Sequence, residues 1–240
     1  MMVGSAFKAG LLSLAQAGSG VTDSAAGIRQ QSERRNMVSR DFIFWEVDVQ
    51  SDFMLPGGKL YVPGAEKLLP NIQRLTDAAR LGQVFLVSHG CFHTPNDPEF
   101  KIFPPHCVKG TAGAELVPEA LTERLVRVPN DADAKLPEDL SKYQQILLEK
   151  QTLNIFESRH ADALVSRLDS QAEFVVFGVV TEYCVSFAAK GLIERGRRVA
   201  VVQDAIETLK QEEGETTIAQ LKQLGARLTT TDEALKALVR

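Results

Sequence analysis

The chain has 240 residues, 44% hydrophobic and 24% charged, enough to enclose one substantial core. Its 31 acidic and 27 basic residues leave a net charge of −4 with no long basic run, which argues against a nucleic-acid or anionic-membrane partner. No apolar stretch reaches the length of a bilayer span, and three cysteines without a disulfide-framework spacing fit a reducing, cytoplasmic setting.

Residues 1–39 are rich in Gly, Ala and Ser, with only a short apolar patch at 9–12, and read as a flexible N-terminal extension rather than a secretory signal. A single domain is expected over 40–240. Its first strand-like run, Phe42 to Val47, stops at the carboxylate of Asp48. A loop punctuated by Pro and Gly follows over 53–64 and can carry Phe53 across a site. Leu68, Leu69, Ile72, Leu75 and Ala79 then form a helical stripe that Gly82 ends, and a second strand is expected at 84–87. From 88 to 143 no strand is evident; this segment holds His89, His93 and His106 and reads as a lid or binding loop.

Beyond it the pattern alternates regularly. Strands are expected at 146–149, 174–177, 199–202 and near 227–229, with helices at about 160–169, 182–195, 213–225 and 231–238. Alternating β and α elements imply an α/β fold, a three-layer α/β/α arrangement around a doubly wound, mostly parallel sheet. The strand at 146–149 stops at Lys150. After 174–177 the chain turns into a helix whose N-cap candidate is Thr181, which puts Cys184 in the first turn, where unpaired N–H groups and the helix dipole favour a thiolate.

In a parallel sheet the carboxyl ends of the strands share one edge, so Asp48, Lys150 and Cys184 are expected to converge there. Taken singly, the first two read as polar residues ending strands and the third as a small buried hydrophobe. Together they make a base, a cation and a nucleophile for acyl transfer.

These three positions, with Asp48-Val49-Gln50-Ser51-Asp52-Phe53, the Pro56 to Ala65 loop, Phe103-Pro104-Pro105-His106-Cys107 and Gly178 to Val185, resemble the isochorismatase-like cysteine hydrolases. Among these the chain is most similar to nicotinamidases. The resemblance runs from about Arg40 to Thr231 and implies the isochorismatase-like hydrolase fold. It implies hydrolysis of a small carboxamide through a thioester on Cys184, with Asp48 as base and Lys150 holding both charges. It also implies an oxyanion hole from the N–H groups of Val180 and Cys184 and a cis Val179–Val180 peptide. Phe53, Phe103 and Tyr183 are the candidates for packing against a flat ring.

Nicotinamidase-like enzymes bind a divalent metal through an Asp-x-His pair and a later histidine. Here Cys91 fills the aspartate position, and His93 and His106 match the histidines. Thiolate and imidazole suit zinc, so Cys91, His93 and His106 form the expected metal site. His89 and His160 lie outside the motifs. Partners are expected to be small-molecule amides, with a homo-oligomer left open. The rival readings are a metal-independent N-carbamoyl or ureido amidohydrolase and a non-catalytic ligand-binding relative. Isochorismate hydrolysis is disfavoured, because vinyl-ether cleavage needs no thiol.

Overall fold

The computed structural model describes residues 40–239, so the expected extension at 1–39 lies outside the described residues. Among the described residues seven strands form one sheet: β1 (Phe42–Val47), β2 (Phe85–Cys91), β3 (Leu125–Val128), β4 (Gln145–Lys150), β5 (Glu173–Val179), β6 (Arg198–Glu207) and β7 (Arg227–Thr229). Their order is β3-β4-β2-β1-β5-β6-β7, and each neighbouring pair is parallel. The chain leaves β1 in one direction to build β2, β3 and β4, then crosses to build β5, β6 and β7 on the other side. That reversal beside β1 opens the crevice in which doubly wound sheets bind ligands.

Among the described residues six α-helices accompany the sheet: α1 (Ser51–Met54, a single turn), α2 (Leu69–Arg80), α3 (Ala161–Ser166), α4 (Ser186–Glu194), α5 (Gln211–Gln223) and α6 (Thr231–Ala237). Alternate strand residues face opposite sides, so continuous apolar runs supply two cores at once. Phe44, Leu86, Val175 and Phe177 pack with Ile72 and Leu75 of α2 and Ala234 of α6. Ile43, Trp45, Val87, Phe174 and Val176 pack with Leu164 of α3, Leu192 of α4 and Leu221 of α5. The three layers follow. No helix among the described residues is long and apolar enough to cross a membrane.

The expected order of elements holds, with corrections. The segment at 88–143 is not strandless, since Leu125–Val128 pairs with β4 as the sheet's edge. β2 continues to Cys91 and β6 to Glu207, because polar residues at their carboxyl ends extend each ladder past its apolar run. Phe53 lies in the helical turn α1 rather than in open loop. The expected helix from 182 begins instead as a wide turn, Thr181–Val185, of π type, and α4 starts only at Ser186. Thr181 is not its cap; its hydroxyl donates to the Glu207 carbonyl at 2.7 Å and ties the turn to β6. Gly178 has φ +117°, and a Cβ there would stand 2.1 Å from the Val47 carbonyl oxygen, so only glycine lets β5 approach β1 this closely.

Glu46, within β1, is fully buried. Ser88 Oγ donates to its Oε2 at 2.6 Å, while Oε1 has no hydrogen-bond partner. Burial, set against that bond and the charge of Arg80, pushes the carboxyl up to about 8. The folded chain therefore keeps a proton that an unfolded glutamate, near 4.5, has lost. Stability from this group is greatest below the unfolded value and declines as pH rises toward 8. Glu46→Gln should flatten that decline, with a gain at pH 8 on the order of a few kcal/mol and little change near pH 4.5. Urea midpoints across this range check it; parallel curves for the two proteins would refute it.

Candidate active site

Asp48 follows β1 with φ +52°, a left-handed backbone uncommon for a residue with a side chain, and its N–H is held by the His89 carbonyl at 2.9 Å. Cys91 and Lys150 stand opposite one another where β2 and β4 end. Cys184 arrives from β5 on the wide turn. The four side chains meet. Lys150 Nζ lies 2.9 Å from Asp48 Oδ2, 2.9 Å from Cys91 Sγ and 3.6 Å from Cys184 Sγ. Lys150 is completely buried and Asp48 nearly so.

These surroundings set the charges. Burial opposes the Asp48 carboxylate, but the Lys150 ammonium and His89 outweigh it and hold the carboxyl well below its ordinary range. Burial likewise opposes the Lys150 ammonium, and Asp48 with the neighbouring thiols more than restores it. Cys184 is pushed up, first by burial and then by Asp48, despite Lys150. The expected preformed thiolate is thus corrected to a thiol beside an ionised carboxylate. The dipole of a short turn is outweighed by desolvation.

Above this cluster a narrow, mainly apolar pocket is lined by Phe53, Phe103, Tyr183, Val180, Cys91 and Cys184. The Phe103 and Tyr183 rings meet edge to face at 6.2 Å, and the Val179–Val180 peptide is cis. All three ring-packing candidates therefore share one cavity with the thiol. Leu60, Val62, Leu153, Leu209 and Glu99 line it too, and sequence reasoning missed them. Isolated apolar residues in loops carry no periodic signal. Glu182 holds the loop bearing Leu209, accepting from the N–H groups of Leu209 and Lys210 at 2.9 and 3.1 Å.

Cys91, His93 and His106 bring their ligand atoms within 4.8 Å of one another. His106 Nδ1 pairs with the Pro104 carbonyl at 2.8 Å, which leaves Nε2 to face the group, and burial holds the ring below its ordinary value, hence neutral. His93 Nδ1 stands 3.1 Å from Asp97, and Glu99 Oε1 is 3.9 Å from Nε2 of both histidines. Each ring thus has a polar neighbour at Nδ1 of the kind that orients metal-bound imidazoles, and the buried His93 Nε2 has no hydrogen bond. The donor set fits a divalent ion, with Glu99 near enough to join it. Cys91 faces two ways, since burial pushes its thiol up to about 12 while Lys150 donates to it.

Two motif residues lock these loops. Gln50 donates to the carbonyls of Cys91 and Ala114 at 2.6 Å and accepts from the Cys91 N–H at 2.7 Å. Asp52 accepts from the N–H groups of Lys59 at 3.0 Å and Cys107 at 2.7 Å. A Cβ on Gly113 would lie 2.3 Å from that carboxylate, so any larger residue where this loop crosses would displace Asp52 from its two N–H partners. Asp52→Ala should leave two N–H groups without a partner and free the segment carrying His106, a loss of about 1–3 kcal/mol by urea denaturation. A variant as stable as the parent would dismiss this clamp.

The Isochorismatase domain family matches residues 45–233. The chain belongs to the isochorismatase family. It is 25% identical over 207 residues to the nicotinamidase of Escherichia coli, covering 77% of this chain and 92% of that one. It is 26% identical over 191 residues to the nicotinamidase of Saccharomyces cerevisiae, covering 66% and 84%. Among solved structures, a pyrazinamidase of Pyrococcus horikoshii in complex with zinc superposes with a TM-score of 0.63 at 26% identity, covering 79% of this chain and 99% of that one.

Proposed function

We propose that residues 40–240 form a cysteine-dependent amide hydrolase that converts a small, flat carboxamide, nicotinamide first, to its acid and ammonia. One observation carries this reading: Lys150 contacts both Asp48 and Cys184, and Cys184 lines an apolar pocket together with Phe53, Phe103 and Tyr183.

Asp48, ionised and beside a protonated thiol, takes the Cys184 proton as Sγ attacks the carbonyl carbon. Proton transfer and attack are coupled, so no thiolate need persist in the resting site. The N–H groups of Val180 and Cys184 receive the oxyanion, and Lys150 offsets the moving charge. Asp48 returns the proton to the amide nitrogen, the C–N bond breaks, and ammonia leaves a thioester. Asp48 then takes a proton from an entering water, whose oxygen displaces Sγ and restores the thiol.

The coarser reading, an amide hydrolase of this superfamily, is supported by the nicotinamidase relatives. For the finer one, His93 Nε2, which has no hydrogen bond, and the facing Nε2 of His106 support a divalent ion, zinc by donor chemistry, held with Cys91. When bound it supplies a Lewis-acid anchor for a ring nitrogen.

Ammonia release from nicotinamide, benzamide and an N-carbamoyl amino acid tests the substrate. Nicotinamide should exceed benzamide by about tenfold or more if ring-nitrogen anchoring orients the amide. Metal analysis should find about one equivalent, lost in His93→Ala. Turnover of the carbamoyl compound alone would reject the nicotinamide assignment, and a fully active metal-free protein would reject the ion.

A further inference from the structure

We infer that His89 is a positioning residue that fixes the carboxylate of Asp48; as a statement about catalysis this rests on the reading above. His89 lies on β2 opposite Val47, with a fully buried side chain set edge-on to Trp45 at 6.1 Å between ring centroids. Its Nδ1 stands 3.3 Å from Asp48 Oδ1. Neither ring nitrogen nor Asp48 Oδ1 makes an aligned hydrogen bond to any described group, and the contact between Nδ1 and Oδ1 is itself off-axis. The other carboxylate oxygen, Oδ2, faces Lys150 at 2.9 Å and Cys91 Sγ at 3.9 Å.

The two oxygens thus face different groups, with His89 on one side and the reacting cluster on the other. A buried imidazole whose nitrogens serve nothing else is a costly way to fill space that an aliphatic side chain would fill without desolvating polar atoms. Its position gives it a use. Asp48 leaves β1 with φ +52°, so regular strand geometry does not dictate where its side chain points. The His89 carbonyl already holds the Asp48 N–H at 2.9 Å, and the imidazole adds a second hold at the far end of the same residue. With its proton on Nδ1, the ring faces Oδ1 with a donor 3.3 Å away, and a small tilt that closes this contact into a hydrogen bond would oppose rotation of the carboxylate and keep Oδ2 toward Lys150 and the thiol. The off-axis contact in the resting site is of the kind that tightens when charge moves. His89 is absent from the pocket lining, so it acts only through Asp48.

The test compares His89→Ala, His89→Leu and His89→Asn in the full chain by two readouts. The first is the rate at which iodoacetamide labels Cys184, followed on the peptide that carries it; this needs Asp48 to accept the thiol proton and no knowledge of the substrate. The second is kcat and KM for nicotinamide. In Ala and Leu variants, labelling and kcat should each fall about 10- to 100-fold, the scale of a misplaced catalytic group, with KM within about twofold. Asparagine, whose side-chain N–H₂ occupies nearly the place of Nδ1, should recover most of both. Parent-like labelling in folded Ala or Leu variants overturns the inference, as does an Asn variant as impaired as Leu, or a loss confined to KM. If the Ala variant does not fold, the Leu and Asn pair decides. If nicotinamide is not a substrate, labelling still decides, which separates this inference from the functional reading.

Discussion

Cys184→Ala is expected to lower ammonia release by roughly 10⁴-fold or more, since removal of a covalent nucleophile forfeits the whole two-step route and leaves only binding and polarisation. The thiol is small and lies in a pocket wall, so the variant should fold and should still bind substrate. Burst or single-turnover measurements should show no acyl-enzyme. The case is sharper because a second thiol is at hand, with Cys91 Sγ 2.9 Å from the same ammonium. If Cys91 were the nucleophile, Cys91→Ser would abolish turnover and Cys184→Ala would leave it within about tenfold of the parent. That pattern would move the mechanism to the end of β2.

Lys150→Met carries the largest expected stability loss, about 3–5 kcal/mol, the cost of leaving a buried charge unpaired. Methionine fills the volume, so the loss reads the charge on Asp48 rather than a cavity. In the parent, the depressed Asp48 carboxyl gives stability that is fully present above its ordinary value of 3.8 and lost as pH falls toward the folded value. Without the ammonium, burial dominates and raises the folded value, so stability would instead be lost as pH rises. The variant's stability should therefore fall more steeply between pH 5 and 8 than the parent's, in which buried Glu46 already gives a decline over that range, and paired urea titrations at those limits would detect the difference. Lys150→Met with Asp48→Asn should recover most of the loss, because the pair is then removed together. A loss below about 1 kcal/mol in the single variant would mean the pair is not desolvated as its burial indicates.

Much of this architecture was legible in the chain. Continuous apolar runs such as Phe174 to Phe177 announce strands buried on both faces, and the residues ending them, Asp48 and Lys150, fall on one edge by topology alone. The ring-packing candidates Phe53, Phe103 and Tyr183 came from motif neighbours and share one pocket. What escaped did so for physical reasons. Leu125–Val128 is a four-residue edge strand, too short for its period to stand out from a proline-rich segment. The charge state of Cys184 depends on desolvation by distant parts of the chain, which local helix position does not reveal. His89 was set aside because no local pattern marks it; its partner Asp48 is forty-one positions away in the sequence and adjacent only through the sheet.

Trp45 gives the molecule a built-in optical gauge. It is the single tryptophan of the chain, fully buried, stacked on Phe156 at 18° between ring planes and edge-on to His89. Its emission therefore reports from beneath the carboxylate, without any label. Fluorescence should be blue in the native state and shift red only when the layer formed by α3, α4 and α5 opens. Because the indole touches the imidazole that touches Asp48, occupants of the pocket that alter that carboxylate should change emission intensity without moving its wavelength. Substrate affinity could then be followed in Cys184→Ala, where no turnover competes with the signal.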